Sequence, residues 1–326
     1  MAKLVTIFGG SGFLGRYIAQ RMAREGWRVR VAVRRPNEAM HVKLYGAVGQ
    51  VEPVLCNVRD DASVLSAIRG ADAVVNCVGI LVEQGRNRFD ALHRDAAARI
   101  ARTAHAEQLG RLVHISAIGA DPEAASRYSQ TKGLGEKEVL AHFANAVILR
   151  PSVIFGTEDQ FFNRFARMMR WGPVLPIVGG ATRMQPVYVD DVAAAAVAGV
   201  LGKARPGIYE LGGPETRTLA ELVSQMLDIT RRRRLVLNMP FWIGSIMAAI
   251  LDAAQSITVG LFSNSILTRD QVKALRVDSV VGAENDFETL GIAPVAMETV
   301  LPEYLWVYRP SGQFASIVSS AKNLKT

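Results

Sequence analysis

Val5 to Ala19 reads VTIFGGSGFLGRYIA. An apolar, β-branched run ends at Phe8, glycines follow at positions 9, 12 and 15, and an amphipathic pattern begins at Phe13. A strand that turns at once into a helix needs glycine in three places: at the tight turn, where the backbone approaches a pyrophosphate, and where the helix packs on the strand. Gly9, Gly12 and Gly15 occupy those places, with Ser11, Phe13 and Leu14 between them. The first N–H groups of the helix then meet an anion at the positive end of the helix dipole. The stretch therefore predicts a nucleotide-binding turn built from Gly9, Ser11, Gly12, Phe13, Leu14 and Gly15.

The same alternation continues to residue 150. Lys3 to Phe8, Arg28 to Val33, Glu52 to Leu55, Ala73 to Val78, Arg111 to Ser116 and Ala146 to Leu149 read as strands. Phe13 to Glu25, Ala62 to Ile68, Phe89 to Gln108 and Tyr128 to Phe143 read as helices. Strands that are apolar on both faces and separated by helices form a parallel sheet covered on both sides. The expected fold is α/β: a Rossmann-type doubly wound parallel sheet with a smaller α/β C-terminal lobe. The nucleotide-binding domain is expected over residues 1–150. A lobe over 151–310, with helices at Phe161 to Arg170, Asp190 to Leu201 and Leu219 to Thr230, completes the fold and meets a partner or membrane. Residues 311–326 are small and polar, and a flexible tail is expected there.

Composition sets the class. A chain of 326 residues, 49% of them hydrophobic, can bury a sizeable core and is longer than most single cores. Disordered, collagen-like and disulfide-stapled proteins are excluded. Cys56 and Cys77 sit in apolar runs without a CxxC or Cys/His cluster, and His41, His93, His105, His114 and His142 lack metal spacing, so no metal is expected. No signal-peptide pattern precedes the first strand, and the mature chain is expected to start at Met1 or Ala2. The formal charge of +8 permits binding to nucleic acid, an anionic membrane or an acidic partner without choosing among them. No nucleic acid is expected, because the run Arg231 to Arg234 has no aromatic platform beside it.

The strand ends identify the ligand class. The second strand ends in VAVRRP, with Arg34 and Arg35 where an NAD site carries a carboxylate. Two guanidiniums favour a 2′-phosphate, so NADP(H) is expected. Asn57 and Val58 end the third strand at the adenine, and Cys77, Val78 and Gly79 end the fourth beside a ribose. Ser116 closes the next strand, and Tyr128 and Lys132 form a YxxxK pair on one helix face. An ammonium can lower a nearby phenol's pKa, and a serine hydroxyl can orient a carbonyl, a combination that serves hydride transfer.

The glycine motif, NCVG and YxxxK together resemble an extended or atypical short-chain dehydrogenase/reductase. In one departure, Ala117 stands where active members often carry a second Ser or Thr. Longer strings narrow the resemblance: SRYSQTKGLGEKEVL, VILRPSVIFGTEDQFFNRFARM and QPVYVDDVAAA. They resemble the dehydrogenase-like accessory subunits of respiratory complex I, NADH:ubiquinone oxidoreductase alpha-subcomplex subunit nine and its bacterial counterpart. That resemblance implies a tightly held NADPH and a role in assembly or stability near the quinone site without turnover. It also implies other complex I subunits as partners, and a peripheral place on the cytoplasmic face of a bacterial inner membrane, or on the matrix side in mitochondria. Pro151, Ser152, Val153 and Ile154 would lie against the nicotinamide end. Two alternatives stay open: a free NADP-dependent oxidoreductase or epimerase using Ser116, Tyr128 and Lys132, and a binding protein whose partner affinity follows NADPH.

The segment Asn238 to Phe262 is strongly apolar, but Pro240 and Asp252 leave too short a clean run to span a bilayer. It reads either as an interfacial element or as a core helix behind a solvated basic turn. In the first reading Phe241 and Trp242 are anchors, and Arg231 to Arg234 meet anionic lipid or an acidic subunit.

Overall fold

The computed structural model describes residues 2–170, 172–257, 267–282, 285–314 and 320. The strands are β1 (Leu4–Phe8), β2 (Arg28–Val33), β3 (Val51–Leu55), β4 (Ala73–Asn76), β5 (Arg111–Ile115), β6 (Val147–Pro151), β7 (Ile154–Phe155), β8 (Val174–Val178), β9 (Arg183–Met184), β10 (Val187–Tyr188), β11 (Gly207–Leu211), β12 (Arg217–Thr218) and β13 (Leu235–Met239). The helices are α1 (Phe13–Arg24), α2 (Asp61–Ile68), α3 (Ala96–Ala106), α4 (Arg127–His142), α5 (Phe162–Met168), α6 (Val189–Leu201), α7 (Leu219–Ile229), α8 (Phe241–Ile257), α9 (Arg269–Ala274) and α10 (Met297–Leu305).

Seven strands form one parallel sheet in the order β11-β6-β5-β4-β1-β2-β3. The order reverses between β1 and β4, and the crevice beyond the strand ends there is where such sheets take ligands. On one face α1 and α6 pack with Val5, Ile7, Val31 and Val113. On the other, α2, α3 and α4 pack with Phe8, Val74, Leu112 and Ile148. Arg21 ties α1 to α6 through two hydrogen bonds to Asp190, at 2.6 and 2.8 Å. The doubly wound sheet expected from the sequence is present.

The structure differs from the sequence expectation at three elements. β4 stops at Asn76, two residues early, because the Asn76 carboxamide accepts from the Val78 N–H at 3.0 Å and turns the chain. The helix expected from Phe89 begins as a π-helical turn at Asp90–Asp95 before α3. β11 was not expected. It comes from the C-terminal half and pairs with β6 to finish the main sheet.

The lobe has a core of its own, in which α5, α7, α10 and β8 enclose Phe155, Phe162, Met226 and Leu301. β13 pairs with β8. α8 and α9 pack through Val178, Ala248, Leu267 and Val272. Of the apolar segment Asn238 to Phe262, the first two residues end β13, and residues 258–262 lie outside those described. Most of the expected tail, residues 315–319 and 321–326, also lies outside them.

Phe241 and Trp242 point different ways, as neighbours on a helix must. Phe241 turns inward, with the Arg276 guanidinium 5.3 Å from its ring centre, so the expectation that it anchors an interface is corrected. Trp242, Ile246 and Ile250 are 64, 55 and 64% exposed and form an outward stripe at four-residue spacing. The arginine run is not four solvated charges. The Arg232 guanidinium donates to the Tyr308 carbonyl at 2.7 Å and that of Arg234 to the Met169 carbonyl at 2.9 Å. Among the described residues, no helix is long and apolar enough to cross a membrane.

Candidate nucleotide site

The glycine turn is built as its spacing requires. Gly9 has φ +73°, and a Cβ there would stand 3.2 Å from the Cys77 carbonyl carbon and oxygen, so β1 and β4 meet across the switch point without side chains between them. A Cβ on Gly15 would lie 2.4 Å from the Gly9 carbonyl oxygen. α1 starts at Gly12 with no side-chain cap and no acidic residue in its first turn. Its open N–H groups at Phe13, Leu14 and Gly15 suit a pyrophosphate. Arg16 stiffens the turn, donating to the Gly12 and Ser11 carbonyls at 3.3 Å each and to Glu158 at 3.0 Å. Tyr17 donates to the same carboxylate at 3.1 Å, so the turn after β7 is latched to the glycine turn.

Arg34 and Arg35 emerge exposed at the end of β2. Arg34 donates to the Asn87 carboxamide oxygen at 3.1 Å, a neutral partner that leaves its charge uncompensated. Arg35 pairs with Glu38 at 2.9 Å, an exposed contact worth about 0–1 kcal/mol that a phosphate can displace. Asn57 is exposed beyond β3, while Val58 is buried against the α2 face. Cys77, Val78 and Gly79 are at least partly exposed along the opening. Although Cys77 as a whole is partly exposed, its thiol is desolvated, which raises its pKa to about 12 and keeps it protonated at neutral pH.

Ser116 is 4% exposed, and its hydroxyl has no hydrogen-bond partner among the described residues. An orphaned buried hydroxyl at a strand end is a place for an absent polar group. Lys132, also buried, donates to the Ile115 carbonyl at 2.9 Å, and burial lowers its pKa to about 8. Its ammonium nitrogen lies 3.5 Å from where a Cβ on Gly79 would stand, which makes Gly79 the open approach to it. Burial raises the Tyr128 phenol to about 12. The sequence expectation of a phenol tuned downward by Lys132 is therefore corrected: the ammonium is directed at a carbonyl, and burial dominates at the phenol.

Pro151 and Ser152 are buried at the end of β6. The Ser152 hydroxyl donates to the Ser279 carbonyl at 2.6 Å and accepts from the Gln185 N–H at 3.4 Å, so this side chain ties the sheet to the lobe instead of facing the opening as the sequence suggested. Val153 packs on the lobe core and Ile154 on the α1/α6 face.

Several site residues escaped the sequence reading. His93, in the π-helical turn, accepts from the Ile80 N–H at 3.1 Å and meets the Thr131 hydroxyl at 3.1 Å, joining the loop after β4 to α4. Burial, then the Lys132 charge, holds the imidazole far below its ordinary pKa, so it is neutral. Its ring stacks on Phe89 at 5.3 Å and stands edge-on to Tyr128 at 5.4 Å. Gly135 makes this approach possible, since a Cβ there would lie 2.1 Å from the His93 carbonyl oxygen. A lone histidine carries no spacing signal. The GLG after Lys132 did carry one, because glycine inside a helix is unfavourable unless packing requires it. Among the described residues, no group of His, Cys, Asp and Glu is arranged to hold a metal ion.

Comparisons with known proteins agree with this geometry. Residues 5–212 match the model of the NAD dependent epimerase/dehydratase family. Over 97% of its length the chain is 35% identical to NADH dehydrogenase [ubiquinone] 1 alpha subcomplex subunit 9, mitochondrial, of Arabidopsis thaliana, and covers 81% of that protein. It is 31% identical to the NADH-ubiquinone oxidoreductase 40 kDa subunit of Neurospora crassa, over 95% of this chain and 80% of that one. Among solved structures, that of gox2253 superposes with a TM-score of 0.72 at 18% identity, covering 95% of this chain and 99% of that one. This last likeness concerns the fold alone.

Proposed function

We propose that this chain, which belongs to the NAD-dependent epimerase/dehydratase family, is an accessory subunit of respiratory complex I that binds NADPH structurally and supports assembly or stability near the quinone site. The observation that carries the reading is the reach of the similarity: the family model ends at residue 212, whereas the complex I relatives match through the C-terminal lobe as well. A dehydrogenase that kept only its fold would share the sheet; a subunit shares its docking lobe too.

In this reading the dinucleotide, a hydride carrier, is bound and not turned over. The glycine turn takes the pyrophosphate, Arg34 and Arg35 the 2′-phosphate, and Cys77 to Gly79, Ser116, Tyr128 and Lys132 the nicotinamide half. Ala117, where active members often carry a second Ser or Thr, favours retention over catalysis. The exposed stripe of Trp242, Ile246 and Ile250 is the surface for a neighbouring subunit or the membrane interface, consistent with a peripheral position.

The test is purification of the tagged native protein from its own membranes in mild detergent. Subunits of NADH:quinone oxidoreductase are expected alongside it, with NADPH released on denaturation. Recovery only as a free species with neither companion would overturn the reading. The NADP preference is tested separately: Arg34→Ala with Arg35→Ala is expected to weaken NADPH about ten- to a hundredfold and leave NADH unchanged, the worth of charge-assisted bonds to one phosphate. Equal loss of both nucleotides in titration calorimetry would contradict it.

A further inference from the structure

α4, which carries Tyr128 and Lys132, supplies part of its own cap: the Ser126 hydroxyl accepts from the Ser129 N–H at 3.4 Å. The earlier donors of a helix start also need acceptors. They find them far away in sequence, at Asp270 on α9. Its carboxylate accepts from the Arg127 N–H at 2.6 Å, the Tyr128 N–H at 3.0 Å and the Ser126 hydroxyl at 3.0 Å. A carboxylate on three donors at the positive end of a helix is a strong cap.

α9 is held in turn by the lobe. Thr268 and Gln271 form its capping box, and the Arg269 N–H donates to Asp252 on α8 at 3.1 Å. A second contact from α8 reaches the opposite wall of the site. The Gln255 side chain donates to the Glu83 carbonyl at 3.3 Å, the Glu83 carboxylate accepts from the Phe89 N–H at 2.8 Å, and the Phe89 ring stands edge-on to Tyr128 at 6.0 Å. By contrast, the glycine turn and Arg34 with Arg35 belong to β1, α1 and β2, across the switch point.

We propose that Asp270 is a positioning residue for the nicotinamide end of the site, through which the C-terminal lobe sets how tightly that half of the dinucleotide is held. The proposal rests on the reading of Tyr128 and Lys132 as nicotinamide-side groups. Removing the carboxylate frees the first turn of α4, which contains Tyr128 and lies one turn before Lys132, while the phosphate and adenine contacts keep their geometry. The nucleotide should therefore loosen at one end only.

The experiment compares NADPH with 2′,5′-ADP, the adenine half alone, in calorimetric titrations of the full chain as wild type, Asp270→Asn and Asp270→Ala, with apo-protein melting recorded alongside. Asp270→Ala is expected to weaken NADPH about fivefold, the worth of a helix cap, and to leave 2′,5′-ADP unchanged. Asp270→Asn keeps one acceptor oxygen and falls between; if the alanine variant does not fold, the asparagine variant carries the same comparison. Unchanged NADPH affinity, or equal loss of both ligands, overturns the proposal. A folded wild type that binds neither ligand overturns the nucleotide reading itself, and this proposal with it.

Discussion

Replacing Arg150 by alanine is expected to destabilise the folded chain by about 3–5 kcal/mol, the cost of leaving one member of a buried ion pair alone. Arg150, on β6, meets Glu136, on α4, through two parallel hydrogen bonds at 2.9 and 2.6 Å. It also faces Glu210 across the β6–β11 ladder at 3.6 Å. The Glu136 side chain is 4% exposed and that of Arg150 22%. The two single variants should therefore be unequal. In Glu136→Ala the arginine keeps Glu210 and some water, whereas in Arg150→Ala the Glu136 carboxylate stays buried without the guanidinium. Denaturant titrations of wild type and the two single variants check this, and an Arg150→Ala deficit below about 1 kcal/mol would mean the pair is solvated.

The same pair illustrates what the sequence carries and what it hides. Arg28 to Val33 was legible to the residue, because its apolar run ends at Arg34 and has a helix pattern on either side. The glycine turn was legible because each glycine answers a local demand of one strand, one turn and one helix. β11 was not, since GIYEL is a short run whose partner, β6, lies 60 positions earlier in the β11–β6 register. Glu136 likewise reads as a solvated helix residue until β6 brings Arg150 beneath it.

Site residues divide along the same line. Tyr128 and Lys132 share one helix face and can be paired by counting. His93 reaches the site through the packing of its turn against Gly135, and Asp270 through the docking of α9 on α4. No periodicity records either contact. Ser152 fails in the opposite direction: its position beside the strand end was correct, but Ser279 and Gln185 claim its hydroxyl. A strand end fixes where a residue stands, and tertiary packing decides what it faces.

Gly15→Ala is expected to abolish dinucleotide binding, with more than about a hundredfold loss of affinity, and to cost the fold about 1–3 kcal/mol from overpacking. The added Cβ would meet the Gly9 carbonyl oxygen at 2.4 Å and the Gly10 Cα at 2.6 Å, both backbone atoms of the phosphate-binding turn. Neither can rotate aside as a side chain would. Relief requires moving the turn or lifting α1. The turn is pinned by Arg16 through the Ser11 and Gly12 carbonyls, and α1 is pinned to α6 by Arg21 and Asp190. Either movement turns the open N–H groups of the first helical turn away from the pyrophosphate, so binding should fall much further than stability. Gly172→Ala is the control, since a Cβ there meets nothing within 4 Å among the described residues. Melting curves and NADPH titrations of the two variants separate the effects: Gly172→Ala should match wild type in both. Tight NADPH binding by a folded Gly15→Ala protein would show that the turn does not hold the phosphates.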